Sequence, residues 1–401
     1  MGNVFDYLQW RGDLTLFRSP FGEVDNLVLS LLSYLDFGGI VPPVGEEGIT
    51  VREAAEAYFA RRGEPKVPRE GVVDTAVEWD WMFRLMADTD RFGGMRLSGF
   101  TDILVPSEDK QFCALTIETE PGQLYLSYRG TSDDLAGWKE DFLLACLPEI
   151  PSHEEAVRYL MQVAACYPEH RLTLGGHSKG GNLAVYAGAR APEAVQNRIQ
   201  RIWSNDGPGF QRTFLQSRPY MGIAGKLVSI VPKSSLVGLL LTHAAPDLIV
   251  DSSQSGVLQH DAISWQVMGS HFVRLTGLTR ESLNAETQIR TWIESMDAPT
   301  RRDFVNALFD VLSASGEQTV SGIVRDLPKA AGASLTLMRD MPRETMDRIR
   351  EFVVLLAGVA ARLEEESRRL RTQNTLRQLG QALGWKPNPG QNPPGQAQGE
   401  G

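Results

Sequence analysis

Residues 172–184 read LTLGGHSKGGNLA, and no other stretch of the chain narrows its fold so far. An apolar alternating run ends in Gly176-His177-Ser178-Lys179-Gly180, and a helical pattern starts at once behind it. A Gly-x-Ser-x-Gly between a strand and a helix fits a sharp turn that presents the serine at the tip, the nucleophile elbow of an α/β sheet. Small residues are needed on both sides of such a turn, and Gly176, Gly180 and Gly181 supply them. Ser178 is then expected over the C-terminal edge of the sheet. The following helix aims free backbone N–H groups at any negative charge that develops there. The five-residue pattern alone also suits a plain glycine-rich turn; strand, glycines and helix together point to chemistry.

The surrounding pattern agrees with that setting. FCALTIET (112–119) and QLYLSYRG (123–130) flank Pro121-Gly122 as a hairpin would. Further strand candidates lie at 171–177, 201–206, 226–232 and 247–253, with helical stretches at 152–167 and 182–191 between them. This alternation predicts an α/β fold with a mostly parallel central sheet and an antiparallel start. The expected division is a helical part over 1–109 packed on the core, a catalytic core over 110–275 and a helical extension over 276–383. A disordered tail is expected over 384–401. In the first part, 24–36, 51–63 and 77–94 carry helical spacing, and 24–36 reads as amphipathic. The apolar run VVLLAGV at 353–359, inside the long helical stretch 347–383, requires burial against the domain or a partner.

Composition excludes more than it selects. Lys+Arg 40 against Asp+Glu 50 leaves a net charge of -10, which gives no support to nucleic-acid binding. Cys113, Cys146 and Cys166 have no metal-like or disulfide spacing, so thiols in a reducing compartment are expected. The start MGNVFDYLQWRGDLTLF lacks the basic residues and apolar run of a secretory signal. No apolar stretch nears the roughly 20 residues of a membrane span. A soluble, cytoplasmic protein is the expectation. Without a phosphate loop, dinucleotide motif or metal-ligand spacing, neither cofactor nor metal is expected.

A serine nucleophile needs a base and an orienting acid, here in the chain order Ser, acid, His. Three histidines follow Ser178: His243, His260 and His271. His260 is favoured because SGVLQHD is a polar loop after the last good strand candidate. His243 follows an apolar run and His271 opens one, so both suit structural roles. His177 is expected to point away from the site. For the acid, Asp206 closes the strand RIWSND before a Gly-Pro turn and is favoured. Asp247 and Asp251 are the alternatives, while Asp261 adjoins His260 awkwardly. The oxyanion donors are expected to be the backbone N–H groups of Lys179 and Thr131, the Lys179 side chain being incidental. Arg129 reads as scaffold paired with a local carboxylate.

Tyr128-Arg129-Gly130-Thr131, Trp138-Lys139-Glu140-Asp141 and Gly176-His177-Ser178-Lys179-Gly180-Gly181 together resemble the core of the class 3, fungal-type lipases. More closely, the chain resembles the Mbeg1-like or DUF2974 family of bacterial lipase-like α/β-hydrolases. Phe5-Asp6-Tyr7, Val24-Asp25-Asn26 and Ser33-Tyr34-Leu35-Asp36-Phe37 carry that likeness early in the chain. Asn205-Asp206-Gly207-Pro208-Gly209-Phe210, Val231-Pro232-Lys233-Ser234-Ser235 and Gln259-His260-Asp261 carry it later. The likeness spans about 1–275 and implies an α/β-hydrolase fold with Ser178 as nucleophile and His260 as base. One departure matters. Class 3 lipases place the acid just before a Val-Pro pair, and Ser229-Ile230-Val231-Pro232 offers no carboxylate there. Either the acid sits one strand earlier, at Asp206, or the triad is weakened.

The implied function is a serine hydrolase acting on a small-molecule or lipidic, long-acyl carboxylic ester. A thioesterase or peptidase would use the same groups. The competing class is a non-catalytic interaction protein that binds a partner, or itself, through the helices of 276–383. The apolar segment at 232–247 is expected to be either a buried crossing helix or a lid or acyl-binding wall above Ser178.

Overall fold

The computed structural model describes residues 2–69, 74–132, 134–144, 147–235, 241, 248–314, 316–317, 319 and 341–382. At its centre is a nine-stranded sheet ordered β1-β2-β3-β4-β5-β6-β7-β8-β11. Its strands are β1 (Ile49–Thr50), β2 (Arg96–Val105), β3 (Lys110–Glu120), β4 (Gln123–Tyr128), β5 (Arg171–His177), β6 (Ile199–Asn205), β7 (Leu227–Pro232), β8 (Leu248–Val250) and β11 (Arg274–Leu275). Neighbours from β4 to β8 run parallel, whereas β1 to β4 and the β8–β11 edge are antiparallel. A separate hairpin pairs β9 (Val267–Met268) with β10 (His271–Phe272). The result is an α/β architecture with a mostly parallel central sheet, flanked by N- and C-terminal helices.

The expected hairpin is β3–β4, closed by Gly122 at φ 79°. The other strand candidates fall on β5 to β8. Two strands, β1 and β2, arise inside the stretch whose spacing reads as helical. In β2 the pattern changes at Gly99, where a positive φ of 68° and a register shift against β3 mark a bulge.

The N-terminal helices are α1 (Val4–Arg11), α2 (Glu23–Leu32), α3 (Val51–Arg62) and α4 (Thr75–Ala87). The amphipathic reading of α2 is corrected: all ten of its residues are buried. Its polar side chains are spent inside the protein. Asp25 takes two hydrogen bonds from Arg91 and one from Tyr7, and Asn26 donates to Asn205 Oδ1 at 2.8 Å. Satisfied in this way, polar groups lose the desolvation penalty that otherwise keeps them at the surface.

Two helices, α5 (Leu135–Leu144) and α6 (Pro151–Cys166), cross from β4 to β5, and α7 (Lys179–Arg190) crosses from β5 towards β6. Short helices α8 (Glu193–Gln196), α9 (Arg212–Leu215) and α10 (Arg218–Ile223) flank β6. The C-terminal helices are α11 (Arg280–Glu294), α12 (Ala298–Ser313) and α13 (Arg343–Ala382). With α5 they form their own apolar cluster, which includes Leu143, Phe304, Phe309 and Phe352. The apolar run in α13 is only partly covered: Val359 is buried, while Val353 and Val354 face solvent. Among the described residues, no helix is long and apolar enough to cross a membrane. The tail from 383 onward lies outside the described residues, as does most of the segment 232–247.

Candidate active site

Ser178 joins β5 to α7 with φ 58° and ψ -135°, a backbone region that L residues rarely occupy. That strain persists only where the surroundings hold it. Ser178 N donates to Asn205 O on β6 at 2.9 Å, and Gly181 N donates back to Ser178 O at 2.9 Å. The glycines are required by close approach. A Cβ on Gly180 would lie 2.0 Å from the Tyr128 carbonyl oxygen, and one on Gly176 would lie 2.3 Å from the Gly180 carbonyl carbon. The turn at Ser178 therefore packs backbone to backbone against the end of β4.

His260 ends the short 3₁₀ turn Gly256–His260, and its Nδ1 lies 2.7 Å from Asp206 Oδ2. Asp206 follows β6 directly, has φ 50° and is fully buried. Its other oxygen accepts the Ser235 hydroxyl at 2.5 Å, and its N–H donates to Ile230 O at 2.7 Å. A carboxylate acceptor at Nδ1 puts the ring proton there and leaves Nε2 as the basic nitrogen. Ser235, just after the Val-Pro pair, supplies a hydroxyl to the carboxylate from the neighbouring strand end.

Among the described residues, no other candidate carboxylate bonds to this ring. Asp251 is paired with Lys233 and accepts the Ser252 N–H at 2.9 Å. Asp247 and His243 lie outside the described residues. Asp261 points instead into the next turn, where it accepts the Ile263 N–H at 3.1 Å, and burial raises its pKa to about 6. His271 is exposed beside Glu23.

His177 departs from the expectation that it points elsewhere. Its ring packs on the His260 ring, with centroids 4.7 Å apart. Its Nε2 lies 2.9 Å from the His260 carbonyl oxygen, and its Nδ1 lies 3.2 Å from the Tyr34 hydroxyl. A carbonyl can only accept, so Nε2 carries the proton and Nδ1 accepts from Tyr34. Burial, and secondarily the neighbouring His260, lower its pKa to about 3, which keeps the ring neutral.

The Lys179 side chain, incidental to the expected oxyanion contact, is fully buried in an ion pair with Glu140 of α5 at 2.8 Å. Its ammonium also donates to Gln111 O at 3.1 Å, while Glu140 accepts the Ser152 hydroxyl at 2.6 Å and its N–H at 2.8 Å. The first residue of α7 is thereby tied to α5, β3 and α6. On the facing loop, the Thr131 hydroxyl donates to Asp141, whose pKa burial raises to about 6. Arg129 makes a two-pronged pair with Asp102 at 2.8 and 2.9 Å, the scaffold role expected of it.

Ser178, His260, His177 and Thr131 all line one cavity of about 770 Å³. That lies within the roughly 300–1,000 Å³ span of small-molecule sites. Its remaining wall is mostly apolar, and much of it comes from α11, α12 and α13.

Residues 86–310 match the family model described as Mbeg1-like. The chain belongs to the Mbeg1-like family. No curated protein matches its sequence. Among solved structures, the native Rhizomucor miehei lipase propeptide complex is similar at 13% identity and a TM-score of 0.34, covering 60% of this chain and 80% of that one. Lip2 lipase from Yarrowia lipolytica is similar at 15% identity and a TM-score of 0.31, covering 46% of this chain and 82% of that one. Lipase II from Rhizopus niveus is similar at 18% identity and a TM-score of 0.27, covering 43% of this chain and 69% of that one. These likenesses to fungal lipases are distant.

Two features of this Mbeg1-like protein escape a reading of the sequence alone. The buried Glu140 partner of Lys179 stands in the Trp138-Lys139-Glu140-Asp141 motif, which carries the resemblance without announcing the pairing. The cavity-facing role of the C-terminal helices has no local signal. Amphipathic spacing says that a helix has a buried face and is silent on what it covers.

Proposed function

We propose that this Mbeg1-like protein is a serine esterase that cleaves carboxylic esters with long or lipidic acyl groups. The observation that carries the reading is the His260–Asp206 bond, made on a loop lining the same cavity as Ser178. In the proposed reaction, Ser178 Oγ attacks the ester carbonyl while His260 Nε2 takes its proton. Asp206 steadies the imidazolium that results. The backbone N–H groups of Thr131 and Lys179 receive the negative oxygen of the tetrahedral intermediate. His260 returns the proton to the departing alcohol as the C–O bond breaks. Water, activated by the same ring, then releases the acid from Ser178.

The apolar cavity wall supports an acyl substrate over a peptide, whose polar backbone would be left without partners there. A fluorophosphonate probe should label the wild-type protein, and Ser178→Ala should abolish labelling with unfolding behaviour retained. Labelling that survives in Ser178→Ala, or an unlabelled wild-type protein that hydrolyses no medium-chain ester, overturns the reading.

A further inference from the structure

Three aromatic side chains from three different C-terminal helices meet at the cavity: Trp292 of α11, Phe304 of α12 and Phe352 of α13. Trp292 lies 5.0 Å from Phe304 and 5.0 Å from Phe352 between ring centroids, and Phe304 lies 5.3 Å from Phe352. Phe352 also packs edge-on against Phe142 of α5 at 5.7 Å. Phe142 adjoins Asp141, which accepts the Thr131 hydroxyl, and all three residues line the same cavity. Phe304 and Phe352 are buried in the separate cluster formed by α5 and the C-terminal helices. The wall is thus built of interlocked rings that belong to no strand of the hydrolase sheet.

We propose that the C-terminal helices form the acyl-binding half of the site, with Trp292, Phe304 and Phe352 setting the acyl-chain length it accepts. The inference rests on the ester-hydrolase reading and adds to it the part of the chain that chooses the substrate. Each rigid aromatic fills a fixed volume, and three rings in mutual contact cannot yield singly without losing packing on two others. An alkyl chain entering from Ser178 gains contact with each methylene until it meets this wall. The gain is roughly fourfold in affinity per methylene buried. Beyond the wall, further methylenes must displace packed rings or turn back into water. A sharp limit in chain length follows, fixed by residues far in sequence from the elbow.

The test is kcat/KM for p-nitrophenyl esters from acetate to palmitate, in wild type, Phe352→Ala, Trp292→Ala and Phe304→Trp. Wild type should rise with chain length to a limit. The two alanine variants should move that limit to longer chains, and Phe304→Trp should move it to shorter ones. A limit that stays put in folded variants overturns the proposal. If an alanine variant fails to fold, Phe352→Leu and Trp292→Leu make the same comparison with less volume lost. A second measurement separates this inference from the hydrolase reading: binding of saturated fatty acids to Ser178→Ala, read by isothermal titration. Chain-length-dependent binding that shifts with Phe352→Ala supports the wall even where wild type cleaves no ester. Binding blind to chain length, or to the wall variants, removes it.

Discussion

The Nε2–H of His177 donates to the backbone carbonyl of His260 at 2.9 Å, so the residue before Ser178 holds the chain that bears the proposed base. The bond ties the turn at Ser178 to the histidine loop without passing through the proposed triad itself. Trp265 Nε1 donates to Gln259 O at 2.9 Å, and Ser234 N donates to Gln259 Oε1 at 3.1 Å, so the same loop is pinned from two other sides. His177→Phe keeps the ring volume and removes the donor. Since a misplacement of about 1 Å can cost on the order of 100-fold in rate, kcat should fall by roughly 10- to 100-fold with KM little changed. His177→Gln, which can still donate, should recover part of the loss. A merely structural role would instead lower the folded fraction and leave kcat per labelled site intact.

The buried Lys179–Glu140 pair makes a stability prediction independent of any reaction. Both side chains are fully buried, so removing Lys179 leaves the Glu140 carboxylate buried without its counter-charge. Lys179→Met should cost about 3–5 kcal/mol in urea unfolding, and Lys179→Met with Glu140→Leu should recover much of that. Equal losses in the single and double variants would show that the pair's energy lies elsewhere, in the bonds Glu140 makes to Ser152 and Gln111.

Ser178 and the Asp206–His260 pair were legible in the sequence because each depends on local pattern. A strained turn must recruit Gly176 and Gly180, and a polar residue at the end of a predicted parallel strand must lie at the sheet's C-terminal edge. The rest was set by distant partners. Asn26 and Ser30 gave α2 the look of an amphipathic helix, yet both are satisfied inside, Asn26 by Asn205 and Ser30 by Tyr125 at 2.7 Å. Spacing cannot anticipate a partner 179 residues away. His177 is hidden from the sequence for a related reason: neighbouring side chains diverge at such a turn, but the later His260 loop folds back over this one. Trp292, Phe304 and Phe352 read as ordinary helix-core residues, which they also are. That they close a chamber over Ser178 depends on how three helices dock.

Glu78 of α4 gives the stability a pH dependence of known sign. Its Oε2 is buried with no hydrogen-bond partner among the described residues. Burial, then the nearby charges of Asp261 and Asp74, raise its pKa from 4.5 to about 7. The folded state therefore binds this proton more tightly than the unfolded chain does. The resulting stability is fully present below pH 4.5 and is lost as the pH rises through about 7. Glu78→Gln removes the ionisation. Its stability relative to wild type should improve between pH 4.5 and 8 by on the order of 2 kcal/mol, read from urea midpoints across that range. A difference that does not vary with pH would place the titration on another group.

Asp206 offers the sharpest test of the proposed triad, because its two oxygens have separate partners. Oδ2 faces His260 Nδ1 and Oδ1 accepts the Ser235 hydroxyl. Asp206→Asn nearly preserves shape while removing the charge, and it can turn an amide donor towards Nδ1. The imidazole would then carry its proton on Nε2, the tautomer unable to accept from Ser178, and the imidazolium would lose its counter-charge. In a well-studied serine protease the equivalent change costs about 10⁴-fold in kcat. A loss of three to four orders of magnitude in ester hydrolysis is expected here, together with much slower fluorophosphonate labelling. Asp251→Asn is the control: its carboxylate is held by Lys233, far from the ring in bonding terms, and hydrolysis should stay near wild type. Ser235→Ala should fall between the two, since it strips one bond from the carboxylate but leaves the charge. Were Asp206→Asn to keep full activity while Asp251→Asn lost it, the orienting acid would have to be reassigned.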